Sequence, residues 1–409
     1  VDLSSNASRA TPERASVTKA VLVFNAGSTS LKFGLYEMDA SGTPPLILRG
    51  SVEGFQTGPV LMARDARGDR LAPKDWKKGI VIDHREAMSV VMDWLKPHIA
   101  ATPLGAVGHR ILLGGDGYAR PVKIDIAVLD YLESLAVMEP SHQATDVSGA
   151  RAMAGLFPNL PQVACFDNAF HSTLPAVAKT YALPKDIRDA GARPWGFHGL
   201  SYAYVSGRMG DLAPKARRVI AAHLGGGASL CAMLDGRSVD TTMGLGALSG
   251  LPMATRSGDV PPEVLFYLLR GKLFDAAALE TMLYKHSGLL GLSGLSGAME
   301  VLEASNDPRA VAAIEHFVYA ATKYAGAYAA VLGGLDAFVF TGGIGEHSAS
   351  VRAAICQKLA WLGAELDADA NSANEARISS PQSRISVWVV PTDEEVVIAR
   401  QTLAVVGSD

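Results

Sequence analysis

Two stretches of this chain, about two hundred residues apart, share one pattern and so restrict the folds open to it. Val21 to Phe24 is a continuous apolar run; a small hydroxyl-rich turn follows, after which Leu31, Phe33 and Leu35 alternate with Lys32, Gly34 and Tyr36. Val219 to Leu224 is again apolar, Gly225 to Gly227 turn, and Ala228, Leu230, Ala232 and Leu234 alternate. An unbroken apolar run suits a strand buried on both faces, and a period of two suits a half-buried one. Each stretch is therefore expected to be a β-hairpin, the first with a Gly27-Ser28-Thr29-Ser30 tip. Asp235-Gly236 then supplies a type I′ turn, and the repetition implies a duplicated architecture.

A third unit, DAFVFTGGIGEHSASVRAAICQKLAWLGAEL, has a short strand at Ala337 to Phe340 and a glycine loop from Thr341 to Glu346. Ser348 is the expected N-cap of a helix carried by Val351, Ile355, Leu359 and Leu362 and stopped by Gly363. A strand, a glycine loop and a helix N-terminus form a recurrent anion site. Other helices are expected over 85–95, 125–137 and 310–332, and a last one over 395–406 that packs back on the N-terminal part.

At 409 residues the chain exceeds one comfortable core. The expected division is an N-terminal domain of 18–167 plus 395–409 and a C-terminal domain of 168–394, after a disordered extension over 1–17. A formal charge of −4, with no basic run of five, gives no footprint for nucleic acid or an anionic membrane. There is no apolar run of eighteen residues, and the first residues contain no signal-like apolar segment. Cys165, Cys231 and Cys356 are an odd number in apolar or helical settings, which argues against a disulfide framework. A cytoplasmic protein is expected.

Both common nucleotide fingerprints, a Rossmann GxGxxG and a GxxxxGK[ST] loop, are missing. Phosphate can still be held by backbone amides in glycine turns, helped by hydroxyls and a lysine. Three such turns, each after a buried strand, are the candidates. Arg110 in GHRILLGG, His198 in GFHGLSY and Arg256 in GLPMATRSGD are candidate cations for a carboxylate or phosphate. Asp167 and Glu394 follow strand-like runs, where α/β proteins collect their sites; Asp167 reads equally well as a helix N-cap.

In order along the chain, NAGSTSLKF, GHRILLGG, FDNAFHSTLP, GFHGLSYAYVS, HLGGGASL, SVDTTMG, GLPMATRSGD, SGLLGLSGLS, FTGGIGEHS and PTDEEVVIAR resemble the successive signatures of the acetate kinase family. The resemblance runs from about Val21 to the C-terminus. It implies an α/β fold of the duplicated actin, Hsp70 and sugar-kinase (ribonuclease H-like) type. It also implies reversible transfer of the ATP γ-phosphoryl to acetate or propionate with Mg²⁺ (or Mn²⁺), ATP/ADP as co-substrate and a homodimer. By the resemblance, Asn25 and Glu394 organise the metal, and Ser28, Ser30 and Lys32 belong to the first phosphate loop. His223 with Gly225, Gly226 and Gly227 forms the second, and Gly343, Ile344, Gly345, Glu346 and His347 form the nucleotide loop. Arg110, Asp167, His198 and Arg256 match the catalytic set, and Arg110, Leu112, Met138, Phe197 and Ala247 the substrate pocket.

A carboxylate is ionised at neutral pH, so such a kinase needs no general base. It needs cations to bring two anions together. On this reading Arg110 meets the carboxylate substrate, Arg256 and His198 meet the transferring phosphoryl, and Asp167 orients Arg256 or a metal-bound water.

Several residues depart from the family pattern. Glu139 stands at the usual active-site histidine, with His142 three residues on. Unless it turns away or is protonated, or His142 substitutes, it would repel the phosphoryl, and Glu139→His is expected to raise turnover. Gly226 replaces an asparagine, Ala298 and Glu300 replace nucleoside contacts, Asp393 adds a possible metal-facing charge, and Leu113 replaces a histidine. Two alternatives follow: a carboxylate kinase using pyrophosphate or another nucleotide, and a non-catalytic nucleotide-binding paralogue.

Overall fold

The computed structural model of the protein describes residues 19–27, 30–39, 43–55, 58–76 and 80–407. The expected extension over 1–17 and the loop residue Ser28 lie outside the described residues. The strands are β1 (Ala20–Ala26), β2 (Ser30–Glu37), β3 (Leu46–Glu53), β4 (Val60–Asp65), β5 (Lys74–Asp75), β6 (Leu104–Ile111), β7 (Val122–Lys123) and β8 (Gln162–Phe166), then β9 (Arg218–Leu224), β10 (Ala228–Leu234), β11 (Arg237–Thr241), β12 (Ala337–Thr341) and β13 (Ser386–Val389). The helices are α1 (His84–Ala101), α2 (Ile126–Ser134), α3 (Pro140–Leu156), α4 (Lys185–Asp189), α5 (Gly199–Leu212), α6 (Pro262–Arg270) and α7 (Ala276–Lys285), followed by α8 (Gly288–Ser293), α9 (Met299–Glu303), α10 (Pro308–Val331), α11 (Gly342–His347), α12 (Ala349–Lys358), α13 (Ala368–Ser372) and α14 (Glu394–Val406).

The strands form two sheets, ordered β5-β4-β3-β2-β1-β6-β8-β7 and β11-β10-β9-β12-β13. The repeated pattern in the sequence becomes a repeated topology. In each sheet an antiparallel hairpin (β1–β2, β9–β10) carries a third antiparallel strand (β3, β11). On its other side the first strand pairs in parallel with a fourth (β6, β12), which pairs in parallel with a fifth (β8, β13). Asn25 and His223 are therefore counterparts, each the last but one residue of its sheet's first strand. Asp235 and Gly236, at φ 51° and 73°, have the left-handed pair that a type I′ turn requires.

Apolar side chains explain the layering. Val21, Val23, Ala106, Val163 and Cys165 on one face of the first sheet cluster with Val396, Val397, Ile398 and Ala399 of α14, so the last helix returns to the first sheet. On the second sheet, Ile220, Ala222, Leu230, Phe338 and Phe340 share a core with Phe317, Ala321 and Ala325 of α10. Cys165, Cys231 and Cys356 are free and buried. Among the described residues no helix is long and apolar enough to cross a membrane.

Local signals place the third unit with one correction. The Ser348 side chain accepts from the Val351 amide and caps α12, and Gly363, at φ 94°, ends the short turn that follows the helix. The stretch read as a glycine loop is instead α11, a short helix that begins directly after β12. Its Gly342 has φ 75°, and a Cβ there would stand 2.8 Å from the Leu224 carbonyl, so only glycine allows this approach to β9.

Candidate active site

The parallel strands end on one level, and the candidate residues lie at those ends. Asn25 is the last but one residue of β1, Arg110 is near the end of β6, Asp167 directly follows β8, and His223 is near the end of β9.

Asp167 joins two halves of this arrangement. Its Oδ2 accepts from Arg110 Nη2 (2.9 Å) and the His198 amide (3.1 Å), its Oδ1 from the Leu200 amide (3.3 Å), and its backbone carbonyl from the Gly199 amide (2.7 Å). Asp167 thus acts as a cap, because it satisfies the otherwise orphaned amides that open α5. The cap acts from outside the helix: the N-cap position itself is His198, held in the left-handed region at φ 58°. Such a backbone is costly for a residue other than glycine and persists only where its surroundings impose it. The orienting role expected of Asp167 goes to Arg110, with which it pairs, rather than to Arg256.

Arg110 also donates to the Ala26 carbonyl (3.0 Å), and Asp146 Oδ2 lies 3.4 Å from its Nη1. Burial works against its charge, but Asp167 and Asp146 outweigh it and hold the guanidinium protonated. Asp146, which sequence reasoning missed, also accepts from the Leu112 amide at 3.0 Å. Burial pushes its carboxyl up to about 7 against the opposing pull of Arg110. It lies inside α3 with no local motif around it, so only the fold reveals it.

His198 and His223 stack with ring centroids 4.2 Å apart. His198 Nδ1 is 2.8 Å from Ser229 Oγ, which is 2.6 Å from the Tyr202 hydroxyl; His223 Nδ1 is 2.8 Å from Ser201 Oγ. Burial, then mutual repulsion with His223, Arg256 and Arg110, drives His198 well below the ordinary histidine range. Burial lowers His223 too, although Glu394, Asp167 and Glu346 oppose it.

The glycine turns close on this group. A Cβ on Gly227 would be 3.2 Å from His198 Nε2 and 3.9 Å from Arg256 Nη1, and one on Gly225 3.7 Å from the Gly343 amide nitrogen. Gly225 to Gly227, His198, Arg256 and the start of α11 are thus neighbours. Gly226 and Gly343 have open space beside their Cα atoms. Ile344, Gly345 and His347 continue α11. Glu346 Oε1 accepts from the Gly342 amide (2.9 Å) and the Thr392 amide (3.1 Å), tying α11 to the PTDEE segment. Fully buried Arg352 supports the same turn, donating to the Gly345 and Glu346 carbonyls at 3.0 and 2.9 Å.

Around the first turn, Asn25 Nδ2 donates to Glu394 Oε2 (2.9 Å) and Glu395 Oε1 (2.7 Å). Glu395 is the partner that the sequence reading passed over, although it lies next to Glu394. Lys32, directly across from Asn25 in the hairpin, is lowered by burial but raised more strongly by Glu395, Glu394, Glu346 and Glu53. Asp393 is held by other partners than Asn25. Its Oδ1 caps α14 through the Val396 amide (3.0 Å), and its Oδ2 is 3.4 Å from Arg49. Ser30 opens β2 beside Gly27, whose amide donates to the Ser30 carbonyl at 2.9 Å.

Leu112, Phe197 and Ala247 are buried in one apolar cluster, with Met138 packed against it. Glu139 is fully buried: Oε2 accepts from the Ala247 amide (3.0 Å) and the Tyr284 hydroxyl (3.1 Å). His142 links it to Arg256, with Nδ1 3.3 Å from Glu139 Oε1 and Nε2 3.5 Å from Arg256 Nη2. Leu113 is a buried core residue whose amide and carbonyl both bond to Gln143. Ala298 caps α9 and Glu300 is exposed on that helix, while Glu303 further along it accepts from Ser348 Oγ at 2.6 Å.

Two copies of one sheet topology, with glycine turns and cations gathered where their first strands end, define a phosphotransferase of the actin, Hsp70 and sugar-kinase class. Comparison with known proteins narrows the class. The Acetokinase family model matches residues 20–400. An acetate kinase of Rhodopseudomonas palustris is 46% identical over 386 residues, covering 93% of this chain and 96% of its own. One of Nitrobacter hamburgensis is 47% identical over 386 residues, with 94% and 95% covered. Among solved structures, a propionate kinase from Francisella tularensis superposes with a TM-score of 0.86 at 34% identity over 95% of this chain and 100% of its own. Porphyromonas gingivalis acetate kinase gives 0.82 at 34% identity, with the same coverage. The chain belongs to the acetokinase family.

Proposed function

We propose that this protein transfers the γ-phosphoryl group of ATP reversibly to acetate or propionate, giving an acyl phosphate and ADP. One observation carries the reading: Arg110, Asp167, His198, His223 and Arg256 meet at the strand ends beside two glycine turns whose amides suit phosphate oxygens. Arg110, already held by two carboxylates, is the fixed cation for the incoming carboxylate. Arg256 and His198, both beside Gly227, face the transferring phosphoryl. If Tyr202 donates to Ser229 and Ser229 to His198 Nδ1, the proton of the neutral imidazole sits on Nε2, where it can donate to a phosphoryl oxygen. Charge spread over the equatorial oxygens is then met by donors set before the reaction begins. Leu112, Met138, Phe197 and Ala247 would receive the short alkyl group.

Mg²⁺ fits the donor set at the first turn. The bonds to Glu394 and Glu395 use the Asn25 amide nitrogen, leaving its carbonyl end and carboxylate oxygens as hard ligands. One or two such ligands, completed by water and phosphate oxygens, suit this ion. When bound, it would neutralise phosphate charge, and Lys32 would add a point cation beside it. The halves 18–167 with 395–409 and 168–394 are read as two domains. The leading assembly is a cytoplasmic homodimer: α6 has no buried residue and exposes Val264, Phe266, Tyr267 and Leu269, an apolar face suited to a second copy.

Trapping the product with hydroxylamine tests the reaction. Acetate and propionate are offered with ATP, GTP and pyrophosphate, with and without Mg²⁺. Hydroxamate formation with ATP that needs Mg²⁺ is expected. Product with pyrophosphate alone, or none at all, would sink this reading.

A further inference from the structure

Arg256 and three neighbours close a polar ring, two of whose members, Glu139 and His142, have no part in the reaction as described. Glu139 Oε2 accepts from the Ala247 amide (3.0 Å), and the Ala247 carbonyl accepts from Arg256 Nη1 (3.0 Å). On the other side, Arg256 Nη2 is 3.5 Å from His142 Nε2, and His142 Nδ1 is 3.3 Å from Glu139 Oε1. The loop lies close against this carboxylate: a Cβ on Gly246 would be 2.9 Å from Glu139 Oε2.

The ring has one consistent proton arrangement. Neutral imidazole offers one donor and one acceptor. Toward Glu139 it must donate from Nδ1, and toward the guanidinium it must accept at Nε2. A protonated ring would point an N–H at Arg256. Burial and the Arg256 charge both hold His142 below its ordinary range, which suits the neutral form. A fully buried carboxylate needs a counter-charge, and here the Arg256 cation is reached through the imidazole and through one peptide unit.

We infer that Glu139 and His142 are positioning residues, which together fix the Arg256 guanidinium and the Ala247 wall of the substrate pocket in one relative arrangement. The inference rests on the carboxylate-kinase reading. Both terminal nitrogens of Arg256 are held, so its plane is set before a phosphoryl group arrives. Both polar atoms of the Ala247 backbone are held in the same ring, so the acyl end and the phosphoryl end of the site keep a fixed spacing.

The test uses the full chain, assayed as hydroxamate from ATP and acetate, with melting temperature as a folding control. His142→Phe keeps the ring volume and removes both bonds. His142→Gln keeps a neutral donor and acceptor. Glu139→Gln keeps the shape and removes the charge. His142→Phe and Glu139→Gln are expected to lower kcat about tenfold or more, with KM for ATP within about twofold. His142→Gln is expected to recover a substantial part of the kcat that His142→Phe loses, which a role in packing alone would not predict. The inference is overturned if both lowering variants keep kcat within about twofold, or if Gln is no better than Phe at position 142. Should Glu139→Gln fail to fold, the two His142 variants decide. An inactive parent chain would remove the kinase reading and this inference together, whereas an active parent with unaffected variants removes this inference alone.

Discussion

At the residue scale, single side chains in this site serve several neighbours, and that sets the sign of substitutions. Arg256→Ala removes a donor held on two sides, and its barrier is expected to rise by about 3 kcal/mol or more, read as a loss in kcat of roughly a hundredfold. Near-normal turnover would mean that Arg256 does not face the phosphoryl. Glu139 shows how the fold can reverse an expectation. Read along the chain, it is a repelling charge whose replacement by histidine is expected to raise turnover. With its carboxylate bound to the Ala247 amide, Tyr284 and His142, Glu139→His breaks three contacts and is expected to lower turnover. A rise measured in the same assay would contradict the ring. The position could be recognised as unusual from sequence, but its partners lie up to 145 residues away, beyond any local pattern.

At the element scale, β8 and α5 are joined by one close approach. A Cβ on Gly199 would stand 2.1 Å from the Asp167 carbonyl, which accepts from the Gly199 amide itself. Gly199→Ala must push α5 off the strand end or break the bonds to Asp167, and a loss of about 2 to 4 kcal/mol is expected in denaturant unfolding. A change below about 0.5 kcal/mol would show that the junction is soft. Much of this scale was legible in the sequence. The hairpins, the Ser348 cap, the Gly363 stop and the last helix follow from period, cap and turn residues, which act over a few positions. Residues 341–346 did not: three glycines suggested a loop, but Glu346 bonds the Gly342 amide and Arg352 holds the Gly345 and Glu346 carbonyls, so the segment winds into α11. These bonds, with the distant Thr392 amide also donating to Glu346, outweigh glycine's poor helix propensity.

At the scale of the whole molecule, buried histidines set the acid limit. Burial holds His109 and His171 down to about 4, both fully enclosed, with His109 bonded to Gln162 and His171 to Ser238 and Phe197. In the unfolded chain they titrate near 6.5. Between those values the unfolded state binds more protons, so stability is expected to fall as pH drops from about 6.5 to about 4. Unfolding near pH 5 should take up two or more protons, readable from the pH dependence of the unfolding free energy; no uptake would refute it. The proposed assembly has its own check: Phe266→Asp with Tyr267→Asp on α6 is expected to convert a dimer into monomers in sedimentation, and a parent chain that is already monomeric would refute the dimer.

The sequence by itself determined the duplicated strand grammar, the glycine turns and the ordered motifs, because each depends on neighbours a few residues apart. Only the tertiary structure decided that Asp167 serves Arg110 and α5, that Asp146 and Glu395 join the charged group, and that Glu139 faces Ala247 and Tyr284. Those partners come from distant segments, and a buried charge takes its environment from whatever the fold packs around it.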